Sequence, residues 1–278
     1  MANSFYFVDS ASNTRTLYVA GTSTTQFVLQ GSEYGVGTIG EPYLEATPNR
    51  LSDNYRSWLY GQREYGFEVL IKAASASALE SALSTWEGYH DPELGEGYVK
   101  RITVGGTTRC LDAIPLPVEW EFEGPTVAKG KQGYMAANPW WRSESASTAN
   151  GTFNGDTPVN VSCANGGHIP AWFVATITGV VNVPKLTTST GDYIEVNKVT
   201  TNADDTITID TRPWGTYRRY AYFREHGSGT ITPVQCTSGS RWIALPTGTN
   251  NLAIVGATGE TSTAGIALSW YLYYRSLI

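Results

Sequence analysis

The chain has 278 residues, a length that suits two domains of ordinary size. Hydrophobic residues make up 41% and charged residues only 16%, with nine Trp and seventeen Tyr, a composition that argues against disorder. The net charge of −6 and the lack of any basic run argue against sequence-specific nucleic-acid binding, which depends on Lys and Arg neutralising phosphates.

In chain order, the opening residues Met1 to Tyr6 lack the basic region and apolar core of a signal peptide, so the protein is expected to be made in a cytoplasm. Gly35-Val36-Gly37-Thr38-Ile39-Gly40 spells Gly-x-Gly-x-x-Gly, but Glu41-Pro42 follows instead of a helix. A pyrophosphate site needs a strand–turn–helix context, so this segment reads as a loop. Tyr65, Phe67, Val69 and Ile71 alternate with their neighbours and predict a strand with one buried face. From Ser75 to about His90, Leu79, Leu83 and Trp86 form an apolar stripe of helical period, and Ser77 with Glu80 reads as a capping box. Asp91-Pro92 ends that helix. Tyr98–Val104 and Thr107–Leu111 flank Gly105-Gly106, which predicts a hairpin with a type I′ turn. Val118 to Glu123 alternates, with Val118, Trp120 and Phe122 assigned to a core and three glutamates to water or a basic partner.

Between about 124 and 150 glycine, proline and small polar residues interrupt the pattern, and the polar stretch after Trp141 reads as a linker or exposed loop. Beyond it only strands and turns are expected. They run over Ala171–Ile177, Tyr193–Val196, Thr206–Asp210, Arg219–Phe223, Arg241–Leu245 and Asn251–Val255, with Asp204-Asp205 in a turn. A long final strand should place Ile266, Leu268, Trp270, Leu272 and Tyr274 on one face. Short strands at regular spacing predict a β-sandwich. The fold class is therefore mainly β in two domains, residues 1–137 with one helix and a hairpin, and residues 138–278 as a sandwich.

Chemistry is sparse. His90, His168 and His226 never fall at metal-ligand spacing, and His90 reads as a helix-end cation facing the dipole. Cys110, Cys163 and Cys236 are far apart and are expected to be reduced and buried. Arg218-Arg219 reads as a solvated strand edge. Glu119, Glu121 and Glu123 share one strand face, whereas a glycosidase needs carboxylates on both sides of its substrate. No catalytic, metal or cofactor residue is assigned. The most suggestive pair is Trp140-Trp141, read chiefly as packing at the domain junction. The alternative is stacking on sugar rings, which would make the chain a carbohydrate-binding or adhesin-type sandwich.

Several segments in order carry a resemblance: Asn138-Pro139-Trp140-Trp141, Gly155-Asp156-Thr157-Pro158, Ile169-Pro170-Ala171-Trp172, Val183-Pro184-Lys185-Leu186, Asp205 to Thr211, Pro246 to Asn251, and the aromatic and basic ending from Trp270. Together they resemble the distal tail protein family of siphophages, over residues 138–278 more closely than before. The resemblance implies a split-barrel-like N-terminal domain that forms a hexameric ring continuing the tail tube, and a galectin-like C-terminal sandwich projecting outward. It implies a virion tail-tip location and a lumen through which DNA passes. The implied partners are further copies of the chain, the tail tube protein, a baseplate or tip protein and receptor-binding proteins, with no enzyme activity, cofactor or membrane.

Overall fold

A computed structural model describes residues 4–9, 11–18, 27–34, 63–103, 105–213, 219–259 and 261–275. The Gly35–Gly40 segment and Arg218 lie outside the described residues. The chain forms two compact units, residues 1–144 with 275–278, and residues 145–274. The division falls after Trp140 and Trp141, which belong to the first unit.

The first unit contains β1 (Ser4–Val8), β2 (Thr14–Tyr18), β3 (Phe27–Tyr34), β4 (Arg63–Lys72), α1 (Ala76–Tyr89), β5 (Gly97–Ile102), β6 (Thr108–Pro115), β7 (Trp120–Gly124), β8 (Val127–Ala136) and β9 (Trp141–Arg142). Its strands run in the antiparallel order β2-β1-β5-β6-β8-β4-β3, with β7 beside β8 and β9 beside β6, and no sheet of the described residues closes into a barrel. Strand β6 serves two ladders. Thr108–Ala113 pair with β5, and Ile114 and Pro115 then pair with Met135 and Tyr134 of β8.

The alternation in β4 is realised, with Tyr65, Phe67, Val69 and Ile71 all buried. Phe7 of β1 meets Tyr134 of β8 at 5.6 Å between ring centroids, and Phe67 meets Tyr134 at 5.8 Å, so the core lies where the two ladders face each other. Helix α1 covers it with Leu79, Ala82, Leu83 and Trp86. Its N-cap is Ser75, whose hydroxyl accepts the Ala78 N–H; the expected Ser77–Glu80 box does not form, and the Ser77 carbonyl instead accepts the Ser81 hydroxyl.

Two other expectations are corrected in this unit. Of Gly105 and Gly106 only Gly106 has a positive φ (+80°), and its N–H donates to the Thr103 carbonyl, so the turn is not type I′. In β7 only Trp120 leans inward, whereas Phe122 is 64% exposed. The reason is that β7 is the outer strand of a hairpin on β8 and nothing described covers its far end.

The second unit contains β10 (Ser147–Asn154), β11 (Val159–Asn165), β12 (Phe173–Gly179), β13 (Lys185–Thr188), β14 (Tyr193–Glu195), β15 (Thr206–Asp210), β16 (Tyr220–Arg224), β17 (Ile231–Pro233), β18 (Gly248–Val255), β19 (Thr263–Trp270) and β20 (Tyr273–Tyr274). Two antiparallel sheets, β10-β19-β12-β15-β16-β17 and β11-β18-β13-β14, form the sandwich. Phe173, Ala175 and Ile177 of one sheet and Val161, Leu252 and Ile254 of the other are buried, alternating with more exposed neighbours. The indole of Trp270 in β19 donates across to the Ala164 carbonyl in β11 (3.3 Å).

The polar stretch read as a linker is strand β10, paired along its full length with β19. It is an edge strand with only Phe153 buried, so its composition resembles a loop. The final strand breaks at Tyr271 and Leu272, after which Tyr273, not Leu272, is buried. Arg241–Leu245, expected as a strand, is irregular apart from one bridge between Leu245 and Ala171.

Close approach at Gly97 yields a stability prediction. A Cβ there would lie 2.3 Å from the Val8 carbonyl oxygen and 2.9 Å from the Phe7 ring, whereas Gly88 in α1 has nothing within 4 Å. Gly97→Ala is expected to lower the unfolding free energy by about 1–3 kcal/mol through overpacking. Gly88→Ala should raise it by roughly 0.5–1 kcal/mol through helix propensity. Urea unfolding of the two variants checks both signs.

Candidate functional site

Both indoles of the Trp140-Trp141 pair are buried, at 3% and 0% exposure. Trp141 meets Tyr65 edge-on at 5.3 Å, and the Arg63 guanidinium lies 6.0 Å from the Trp141 ring while donating to the Pro139 carbonyl (2.9 Å). Neither indole presents an open face on which a sugar ring could stack.

Arg142 follows them and carries an interaction that pattern reading missed. Its Nε and Nη2 donate to both oxygens of Asp112 at 2.6–2.9 Å, and its guanidinium lies 5.0 Å from the Tyr98 ring. Beside it Lys100 pairs with Glu144, which holds the ammonium pKa above its usual value. In the sequence Arg142 opens a polar stretch and carries no signal of burial. Position alone could not name Asp112, which lies on β6.

The three histidines stay apart in role. His168 and His226 are exposed, and His226 lies 3.7 Å from Asp204. His90 is buried and stacks on Trp86 at 4.5 Å, and its Nδ1 lies 2.9 Å from the Trp86 carbonyl. Since a carbonyl only accepts, Nδ1 carries the proton and Nε2 is a bare acceptor with no hydrogen-bond partner. Burial pushes the His90 pKa down to about 4, so the ring is neutral at pH 7, not the helix-end cation expected. Cys110 and Cys163 are buried and Cys236 half-buried; burial pushes the first two thiols up to about 12 and about 11, which removes them as thiolate nucleophiles near neutrality. No group of His, Cys, Asp and Glu among the described residues is arranged to hold a metal ion. Glu121 is the register partner of Lys129 on β8, and the Lys129 ammonium lies 3.8 Å from Glu68.

A groove of about 470 Å³ opens beside the C-terminal end of α1, lined by Trp86, Glu87, His90 and Asp91 on one side and by Leu116, Pro117 and Val118 on the other, with Gln132 also in its lining. Gln132 is fully buried. Its carbonyl accepts the Trp86 indole N–H (2.9 Å), and its amide donates to the Leu116 (2.9 Å) and Gly133 (2.8 Å) carbonyls.

The chain superposes on the crystal structure of the SPP1 Dit (gp 19.1) protein with a TM-score of 0.57 and 11% identity, covering 96% of this chain and 98% of that one. The chain has a Dit-like fold. That structure is described as a paradigm of the hub adsorption apparatus in phages infecting Gram-positive bacteria. The phage p2 baseplate in its activated conformation, with Ca or with Sr, aligns over the same shares at 10% identity with a TM-score of 0.48. No protein-family profile and no curated protein matches the sequence.

His90 gives a pH test. Its folded pKa lies below the usual value near 6.5, so its neutral-state stabilisation is complete above that value and is lost as pH falls towards about 4. A shift of this size corresponds to at most about 3 kcal/mol. His90→Leu should flatten the loss of stability between pH 6.5 and 4 relative to the parent chain, measured by urea unfolding across that range. An unchanged slope would contradict the buried neutral imidazole.

Proposed function

We propose that the chain is a structural protein of a long-tailed phage, forming a hexameric ring at the distal end of the tail tube. In this reading the ring joins the tube protein above to a baseplate or tip protein below, and the genome leaves through its lumen. The N-terminal domain, residues 1–137, forms the ring, and the C-terminal sandwich, residues 138–278, projects outward and is available to receptor-binding proteins. The protein works in the virion tail tip without catalysis.

The observation that carries this reading is the likeness to SPP1 Dit across nearly the whole of both chains, two units included. Physical features support it. A closed ring needs two different, complementary surfaces on each subunit. Among the described residues the sheet of the first unit does not close into a barrel, and Leu94, Ile114 and Phe122 expose apolar side chains suited to burial against a neighbour. A net charge of −6 favours passage of DNA over its capture, because an acidic wall repels phosphates. The burial of Trp140 and Trp141 speaks against the sugar-stacking alternative at that pair.

Negative-stain images of the purified chain test the proposal. Ring-shaped particles with sixfold symmetry and an open centre are expected, together with silence on a glycan array. Compact particles without a lumen, combined with specific glycan binding, would overturn the ring in favour of a carbohydrate-binding sandwich.

A further inference from the structure

We propose that the groove at the end of α1 is a docking site for an arginine side chain presented by a partner protein. This inference concerns the first unit alone and does not depend on the ring.

Charge selects a cationic occupant. Residues 73–99 and 113–128, which supply all of the groove's lining except Gln132, contain no Lys or Arg and eight carboxylates. Glu87 in the last turn of α1 and Asp91, just beyond the end of that helix, both line the groove. The helix has no basic residue in its last turn, and neutral His90 supplies no positive charge there. The negative end of the helix dipole therefore adds to the two carboxylates instead of being offset.

Hydrogen-bonding capacity points the same way. Both amide hydrogens of Gln132 are committed to the Leu116 and Gly133 carbonyls. Glu87 Oε1 accepts the Trp120 indole and Asp91 Oδ1 accepts the Glu93 N–H, which leaves the second oxygen of each carboxylate. His90 lines the groove without adding a donor, since its Nδ1 proton is committed to the Trp86 carbonyl. These groups offer acceptors and lack donors. Leu116, Pro117, Val118 and Pro92 make apolar walls that would cover an alkyl stem. Guanidinium fits this combination better than ammonium, because its planar fork of five donors can serve separate carboxylates at once and is more weakly hydrated. A protein is the expected bearer because Leu94 and Phe122, both exposed apolar residues, lie a few positions along the chain from Pro92 and Val118, which line the groove.

Saturation-transfer NMR of the peptide acetyl-Gly-Arg-Gly-amide with the full chain tests the site, and this readout works whatever the assembly state. Saturation of the arginine methylenes is expected, with none for the peptide in which neutral citrulline replaces arginine. Glu87→Gln combined with Asp91→Asn should weaken binding by about tenfold or more, since both substitutions retain shape and local hydrogen bonds while removing charge. Ser84→Lys, at an exposed position of the groove rim, should abolish binding by supplying an internal cation. Equal saturation of the citrulline peptide, unchanged affinity in the carboxamide variant, or no saturation of the arginine peptide would each overturn the proposal.

Discussion

The amide of Gln132 is the interaction on which the first unit depends. A polar side chain with no exposed surface is costly unless every donor and acceptor is used, and here one amide satisfies the Trp86 indole and two main-chain carbonyls. Through those bonds it fastens α1 to β8 and fixes the Leu116 segment beside the helix end. The groove is a direct consequence, since its two walls are held apart by the side chain that also lies in its lining. The stacking of His90 on Trp86 and its contacts with Phe7 and Tyr134 carry the same constraint into the core between the ladders.

A second constraint is that antiparallel sheets that do not close must leave edges. The first unit manages one edge with β7, whose glutamates keep its rim polar and where Glu121 lies opposite Lys129. The second unit uses β10, rich in Ser, Thr and Asn, to finish its six-stranded sheet. In its interior, Asp205 takes backbone N–H groups from His226, Thr201 and Asn202, which hold its carboxyl below the usual carboxylate range. The turn before β15 is thus organised by a buried carboxylate held chiefly by main-chain N–H groups.

Residue pattern reveals interior strands well and edges poorly. The buried face of β4 is legible because Tyr65, Phe67, Val69 and Ile71 repeat with a period of two, and α1 is legible because Leu79, Leu83 and Trp86 share one stripe. Strand β10 is hidden because an edge strand with one buried side chain has the composition of a loop. Phe122 misleads because alternation gives the side of the sheet, and only the tertiary structure tells whether anything covers that side. Gln132 and the Arg142–Asp112 pair are hidden for another reason. Their partners are distant in sequence, and a polar residue in a strand looks the same whether solvated or buried as a bonding hub. The groove was not legible either, since Glu87 and Asp91 become one surface with Leu116 and Val118 only when the helix is docked.

On the proposed reading, the exposed apolar side chains of the first unit belong to a subunit built to assemble. In it the fold supplies a scaffold, and function resides in surfaces rather than in reactive groups. The central claim of that reading is cyclic self-assembly, and the most direct measurement is the mass of the purified chain by light scattering over a range of concentrations. The account predicts a species of about six times the 30.2 kDa chain that sharpens as concentration rises. A mass that stays at 30.2 kDa at every concentration would contradict it.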